Sequence, residues 1–200
     1  MSGVQVVVAL GAALNNATIT AGIGDFSLVL NGAVSNSSID LGGGTDTLTF
    51  GNATATATAG NVETITAGTG ADAITLATAL TTGMAVQLGT GGSKLTLASG
   101  GNTGTVSDVQ TLIGGTGADA ITLGTALSNG SIDLGAGNDI LTLHNGTNSA
   151  TVSNVETIVG GTGNDTITIG AAVSNASIDL GAGSDTLNLG NNASTATVAV

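Results

Sequence analysis

Apolar and polar residues alternate with a period of two after each of eight Gly-x-Gly turns, which is the pattern of a strand with one face inward. The first inward column reads Leu28, Leu48, Ile74, Leu95, Ile121, Leu141, Ile167 and Leu187. The second reads Leu30, Phe50, Leu76, Leu97, Leu123, Leu143, Ile169 and Leu189, so all sixteen positions are apolar. Between them runs an outward column of Val29, Thr49, Thr75, Thr96, Thr122, Thr142, Thr168 and Asn188, and its six Thr in eight suit exposed β-structure. No segment requires a helix.

The turns themselves repeat. AGIGDFSLVL (21–30), AGTGADAITL (67–76), GGTGADAITL (114–123) and GGTGNDTITI (160–169) align without gaps at spacings of 46, 47 and 46 residues. A related segment lies inside each unit: LGGGTDTLTF (41–50), LGTGGSKLTL (88–97), LGAGNDILTL (134–143) and LGAGSDTLNL (180–189). Four repeats, 15–60, 61–107, 108–153 and 154–200, therefore make one domain over 1–200. Equivalent positions are spaced 20, 26, 21, 26, 20, 26 and 20 residues apart, which predicts about eight coils of alternating short and long form. Short coils return through Ser-Ile-Asp-Leu and long ones through segments such as SNVETIVG (153–160). At about 4.8 Å per coil the expected fold is an all-β, parallel, β-roll-like solenoid on the order of 40 Å long.

Composition narrows what such a rod can do. With 34 Gly, two Phe and no Trp, Tyr, Pro or Cys, the core must come from Ile, Leu and Val in many thin layers. Thirteen acids against the single base Lys94 give a formal charge of −12, which repels nucleic acid and anionic membrane surfaces and favours cations. No stretch approaches the roughly 18 apolar residues of a membrane span, and MSGVQVVVALGAALNN lacks the basic region of a signal peptide. The absence of Cys excludes disulfides and thiolate metal sites.

One column concentrates the charge: Phe26, Asp46, Asp72, Ser93, Asp119, Asp139, Asp165 and Asp185, each just after a Gly-x-Gly-x. Coil stacking would bring neighbouring carboxylates to roughly 5 Å, where two unit charges repel by about 3 kcal/mol at an effective dielectric near 20. A hard divalent cation offsets that repulsion. Ca²⁺ takes six to eight oxygens and accepts backbone carbonyls beside carboxylates, whereas Mg²⁺ demands a tight octahedron. Zn²⁺ lacks its Cys and His ligands. The glycines permit turns that bend carbonyls inward.

At these residues the chain resembles the repeat-in-toxin, or haemolysin-type, calcium-binding β-roll repeats, whose nonapeptide is Gly-Gly-x-Gly-x-Asp-x-(large apolar)-x. GGTGADAIT (114–122) and GGTGNDTIT (160–168) match every specified position, while the 180–188 segment has Leu180 for the first Gly. The resemblance implies Ca²⁺ between stacked turns, held by Asp46, Asp72, Asp119, Asp139, Asp165 and Asp185 with backbone carbonyls near Gly44, Gly70, Gly117, Gly137, Gly163 and Gly183. The implied pairs are Asp46 with Asp72, Asp119 with Asp139, Asp139 with Asp165, and Asp165 with Asp185. The long spacing is closest in style to repeats of bacterial surface-layer proteins. The resemblance further implies a non-enzymatic structural protein of a bacterial surface layer, matrix or adhesin, extracellular and exported without a cleaved N-terminal signal. The alternative is a repeat segment of a larger secreted toxin or enzyme. Toxin-type rolls carry turns on both edges; here a single Asp-bearing edge is expected.

Other residues carry blander readings. A phosphate loop needs a helix behind it, and every turn here leads into a strand. Asp40, Asp133 and Asp179 are expected to solvate strand edges, and Glu63 and Glu156 to be satisfied polar bends with Gln110 in their place in the middle repeat. His144 has no counterpart in other repeats and is expected to be an exposed turn residue. One His and no recurring Ser-His-Asp grouping leave little material for a triad. Lys94, directly after Ser93, is either a solvated strand residue or an ammonium standing where an ion would otherwise sit. The Thr column raises ice binding as a minor reading, weakened by its neighbouring column of Ser27, Thr47, Ala73, Lys94, Ala120, Ile140, Thr166 and Thr186. STATVAV aligns with the interior of earlier long coils, and VQVVVAL is another exposed edge, so head-to-tail self-association is expected.

Overall fold

The computed structural model describes residues 5–190 and 194–199; residues 1–4 of the opening stretch and Val200 of the closing STATVAV lie outside that range. The chain winds as a parallel β-solenoid of about ten turns, with no helix among the described residues. Successive strands go alternately to two parallel sheets. Sheet I contains Val6–Leu10, Phe26–Leu30, Thr47–Phe50, Thr64–Thr66, Ala85–Gln87, Thr103–Ser107, Ala120–Leu123, Ile140–Thr142, Thr157–Gly161, Ala176–Gly181 and Ala196–Ala199. Sheet II takes the strands between them, such as Val34–Asp40, Ala73–Leu76, Lys94–Thr96 and Thr166–Ile169. At edge I the chain passes from sheet II to sheet I; at edge II it passes back.

The inward positions are inward. Fourteen of the sixteen apolar column residues are buried, and Leu187 and Leu189 pack partly buried against the same core. The columns do not each form one stack, however. Leu28, Leu48, Ile121 and Leu141 lie in sheet I, whereas Ile74, Leu95, Ile167 and Leu187 lie in sheet II. The two sheets thus face one another across a shared apolar core, and ~25 cal/mol per Å² of apolar surface removed from water drives their closure. Val62, Val155, Ile39, Ile132 and Ile178 fill the same interior from the return segments.

The coil length differs from the spacing of the Gly turns. Paired residues advance by 20 (Ser27 to Thr47), 17 (Thr47 to Thr64) and 21 (Thr64 to Ala85) residues. A 26-residue spacing is therefore one and a half coils, and the expected eight coils of alternating length are replaced by about ten of 17 to 21 residues. Asp46 and Asp139 lie 93 positions and two repeats apart, and five strand steps of sheet I separate them. Each repeat consequently spans two and a half coils, so successive repeats present their Gly turns on opposite edges. The 17-residue coils are made possible by three-residue turns beginning at Asn61, Asp108 and Asn154, all in left-handed backbone (φ 51°, 55° and 53°), where Asn and Asp are the residues best tolerated after Gly.

The Thr face is divided by the same geometry. On sheet I, Thr47 and Thr49 stack directly on Thr64 and Thr66, but the next rung places Ala85 and Gln87 there. Thr75 and Thr96 belong to sheet II, below Ile113.

Candidate metal sites on the two edges

The Gly turns stack on one another in pairs. On edge I, 22–26 stacks with 42–46 and 115–119 with 135–139; on edge II, 68–72 stacks with 89–93 and 161–165 with 181–185. The stacking is tight enough to require glycine. Gly42 and Gly44 have φ of 83° and 151°, and a Cβ on either would collide with the carbonyl oxygen of Gly22 or Gly24 in the rung below. The same collision would occur at Gly89 and Gly91, and at Gly181 and Gly183. Thus Gly70, Gly117 and Gly163 have their carbonyl oxygens against the next rung, while Gly44, Gly137 and Gly183 are the upper members of their pairs.

Asp side chains tie these rungs together by one recurring bond. The Asp119 N–H donates to Asp139 Oδ1 at 2.7 Å, and the Asp165 N–H to Asp185 Oδ1 at 2.8 Å. Asp46 Oδ1 accepts from the Phe26 N–H at 2.8 Å, and Asp72 Oδ1 from the Ala55 N–H at 2.7 Å. Each carboxylate thereby uses one oxygen to hold the rung before it.

The other oxygen has nothing. Oδ2 of Asp46, Asp72, Asp119, Asp139 and Asp165 is buried without a hydrogen-bond partner, and each of these residues is at most 2% exposed. Such orphaned groups are rare in proteins because the lost hydration is not replaced. Burial pushes the Asp46 carboxyl above its ordinary value against the Phe26 N–H, and the charges of Glu63 and Asp25 push the same way. Burial likewise raises Asp72 and Asp139; for Asp139 the charges of Asp119 and Glu156 add to it.

Of the pairs read from sequence, Asp119 with Asp139 and Asp165 with Asp185 are direct neighbours. Asp46 with Asp72, and Asp139 with Asp165, are on opposite edges, because their 26-residue separation carries the chain half a coil too far. The expectation of one Asp-bearing edge is corrected with them: both edges carry the turns.

The true neighbour of Asp46 is Glu63, whose Oε2 accepts the Asp46 N–H at 2.7 Å; Glu156 does the same for Asp139 at 2.8 Å. These are not bends satisfied on their own. The turn at 61–63 is three residues shorter than that at 41–46, and the extra methylene of Glu restores the reach. Asp72 instead donates its N–H to Ser93 Oγ at 3.0 Å. Sequence reasoning also passed over Asp25, which lies beside Asp46 and accepts the Thr45 N–H at 2.9 Å, and two buried amides, Asn102 and Asn148.

Lys94 does not stand in for an ion. Strand alternation turns Ser93 inward, where Oγ also donates toward the carbonyls of Leu88 and Gly70, and turns Lys94 out to solvent. Asp40 and Asp133 cap the turns that follow: each accepts a backbone N–H two residues on, from Gly42 and Gly135, and an amide from Asn61 or Asn154 at 2.7 Å. Asp179 accepts from Gly181 in the same way. His144 is half-buried rather than exposed, and its Nδ1 accepts the Gly146 N–H at 2.9 Å.

No family model, curated protein or solved structure matches the chain. The chemistry of the edges must therefore be read from their own donors. Those donors are all oxygen: an orphaned carboxylate, a second carboxylate on the neighbouring rung in four of the five cases, and glycine carbonyls crowding the gap. Among the described residues no three His, Cys, Asp or Glu side chains come together, so an ion here would draw on backbone carbonyls. That mixture fits a hard cation with a large, irregular coordination shell, and Ca²⁺ fits better than Mg²⁺.

Proposed function

We propose that this chain is a non-enzymatic, Ca²⁺-stabilised structural solenoid, of the kind used outside the cell in a bacterial surface layer, matrix or adhesin. The observation that carries the reading is the set of five buried, partnerless Asp oxygens, each within a stack of glycine turns. A divalent ion between rungs would supply the missing partner and neutralise facing carboxylates. In its absence the same groups oppose folding. Linkage of this kind suits a protein that is loose where Ca²⁺ is scarce and rigid where it is millimolar. Each site held at a hundredfold excess over its Kd adds about 2.7 kcal/mol to the folded state. The same solenoid could equally serve as the repeat segment of a larger secreted protein. Ice binding is not favoured, since the two-column Thr block extends over only two directly stacked rungs before Ala85 and Gln87.

Calorimetric titration of EGTA-stripped protein with Ca²⁺, followed in parallel by circular dichroism, tests the reading. Saturable heat with a gain of β-sheet signal and a higher Tm is expected, and Mg²⁺ should act more weakly. Identical spectra and melting curves with and without Ca²⁺, and no heat of binding, would remove the proposal.

A further inference from the structure

Asn102 and Asn148 occupy rungs directly before Asp119 and Asp165 on the two edges, and each is fully buried. Their Oδ1 atoms do what Asp Oδ1 does elsewhere: they accept the N–H of the preceding rung, from Leu80 at 3.0 Å and from Leu127 at 3.1 Å. The second atom of the side chain differs. Asn102 Nδ2 donates to the carbonyls of Ala98 and Gly100, four and two residues back, at 3.0 and 2.9 Å, and to Asp119 Oδ1 at 2.8 Å. Asn148 Nδ2 donates to the carbonyls of His144 and Gly146 at 2.8 and 2.7 Å and to Asp165 Oδ1 at 2.9 Å. The orientation of the amide is fixed by this network, because a flipped amide would set its oxygen against three acceptors.

Two carbonyls and a carboxylate around one centre form a set that a cation would satisfy. One rung further on, Asp119 and Asp165 keep the Oδ1 bond but replace the donating nitrogen by an orphaned, buried Oδ2. We propose that Asn102 and Asn148 are internal substitutes for an ion, their amide hydrogens doing at these two rungs what Ca²⁺ does at the Asp rungs. Each Asn starts a ladder that needs no metal at its first step, and Asp in its place would create a further Ca²⁺ site. This inference rests on the proposed Ca²⁺ function.

The test measures bound Ca²⁺ per chain by equilibrium dialysis for the full chain and for Asn102→Asp, Asn148→Asp and the double variant, with melting curves in EGTA and in millimolar Ca²⁺. Each single substitution is expected to add one ion per chain and the double variant two. In EGTA their Tm should fall below that of the wild type, and Ca²⁺ should restore it. If the wild type binds Ca²⁺ but a substitution adds no ion, or leaves a chain that Ca²⁺ cannot fold, the amide inference is overturned and the Ca²⁺ function stands. If the wild type binds none, both fall.

Discussion

Asp119 donates its backbone N–H to Oδ1 of Asp139 at 2.7 Å, and both residues leave Oδ2 buried without a partner. One carboxylate thus performs two tasks: one oxygen joins consecutive coils and the other opposes their joining until something neutralises it. Replacing Asp139 by Asn separates the tasks, because Oδ1 survives and Nδ2 brings donors. In EGTA, Asp139→Asn is expected to be more stable than the wild type by about 1–3 kcal/mol, the usual cost of an unsatisfied buried group. That corresponds to a few degrees in Tm for a chain of this size. In millimolar Ca²⁺ the order should reverse, so crossing melting curves are the predicted signature. A variant less stable under both conditions would contradict it.

Glu156 reaches Asp139 from a turn of three residues. Glu156→Asp is too short for that turn and should cost about 1–2 kcal/mol by freeing the Asp139 N–H, whereas Glu156→Gln keeps an acceptor and should hold the coil in EGTA. Urea denaturation of the two variants distinguishes reach from charge. Equal losses would show that length is immaterial here.

Acidity should act in opposite directions on the two forms. Asp46, Asp72 and Asp139 have folded-state values raised above the ordinary 3.8, chiefly by burial. A raised carboxyl binds its proton more tightly in the folded chain, so ion-free protein gains stability as pH falls through the raised values towards 3.8 and keeps that gain below it. With Ca²⁺ present, protons compete for the same oxygens and apparent affinity should fall over the same window. Chemical denaturation in EGTA and calorimetry in Ca²⁺, both from neutral pH down to 3.8, measure the two slopes. A flat EGTA profile would contradict the burial of these groups.

Gly42 and Gly43 are adjacent but not equivalent. A Cβ at Gly42, with φ of 83°, would strike the Gly22 carbonyl, while one at Gly43 would meet nothing within 4 Å. Gly42→Ala is expected to cost more than about 2 kcal/mol from strain and collision together, and Gly43→Ala less than about 0.5 kcal/mol. Guanidinium melts of both, in Ca²⁺, give the comparison.

How far the sequence could be read depended on which physical rule was in play. Inward placement of Leu28, Leu95 or Ile167 follows from strict alternation, which is local, and the structure bears it out. Coil length is not local. A separation of 26 residues fits one long coil or one and a half ordinary ones, and only the short turns at Asn61, Asp108 and Asn154 decide for the latter. The long coil sets Asp46 beside Asp72 and makes Glu63 a polar bend, whereas the short turn sets Glu63 beside Asp46. A signal was present nevertheless: Glu63 and Glu156 recur at 93 residues, twice the repeat, the period after which an edge returns to itself. Asn102 and Asn148, 46 residues apart, stand outside the Gly-x-Gly-x-Asp frame and are recognisable only from what their amides touch.

A repeat of two and a half coils has a mechanical result. Fastenings placed on one margin alone would bow the rod whenever they tightened or slackened. Because neighbouring units turn opposite ways, ions held at the proposed sites would load both margins alike, and a rod of such units would stiffen without bowing.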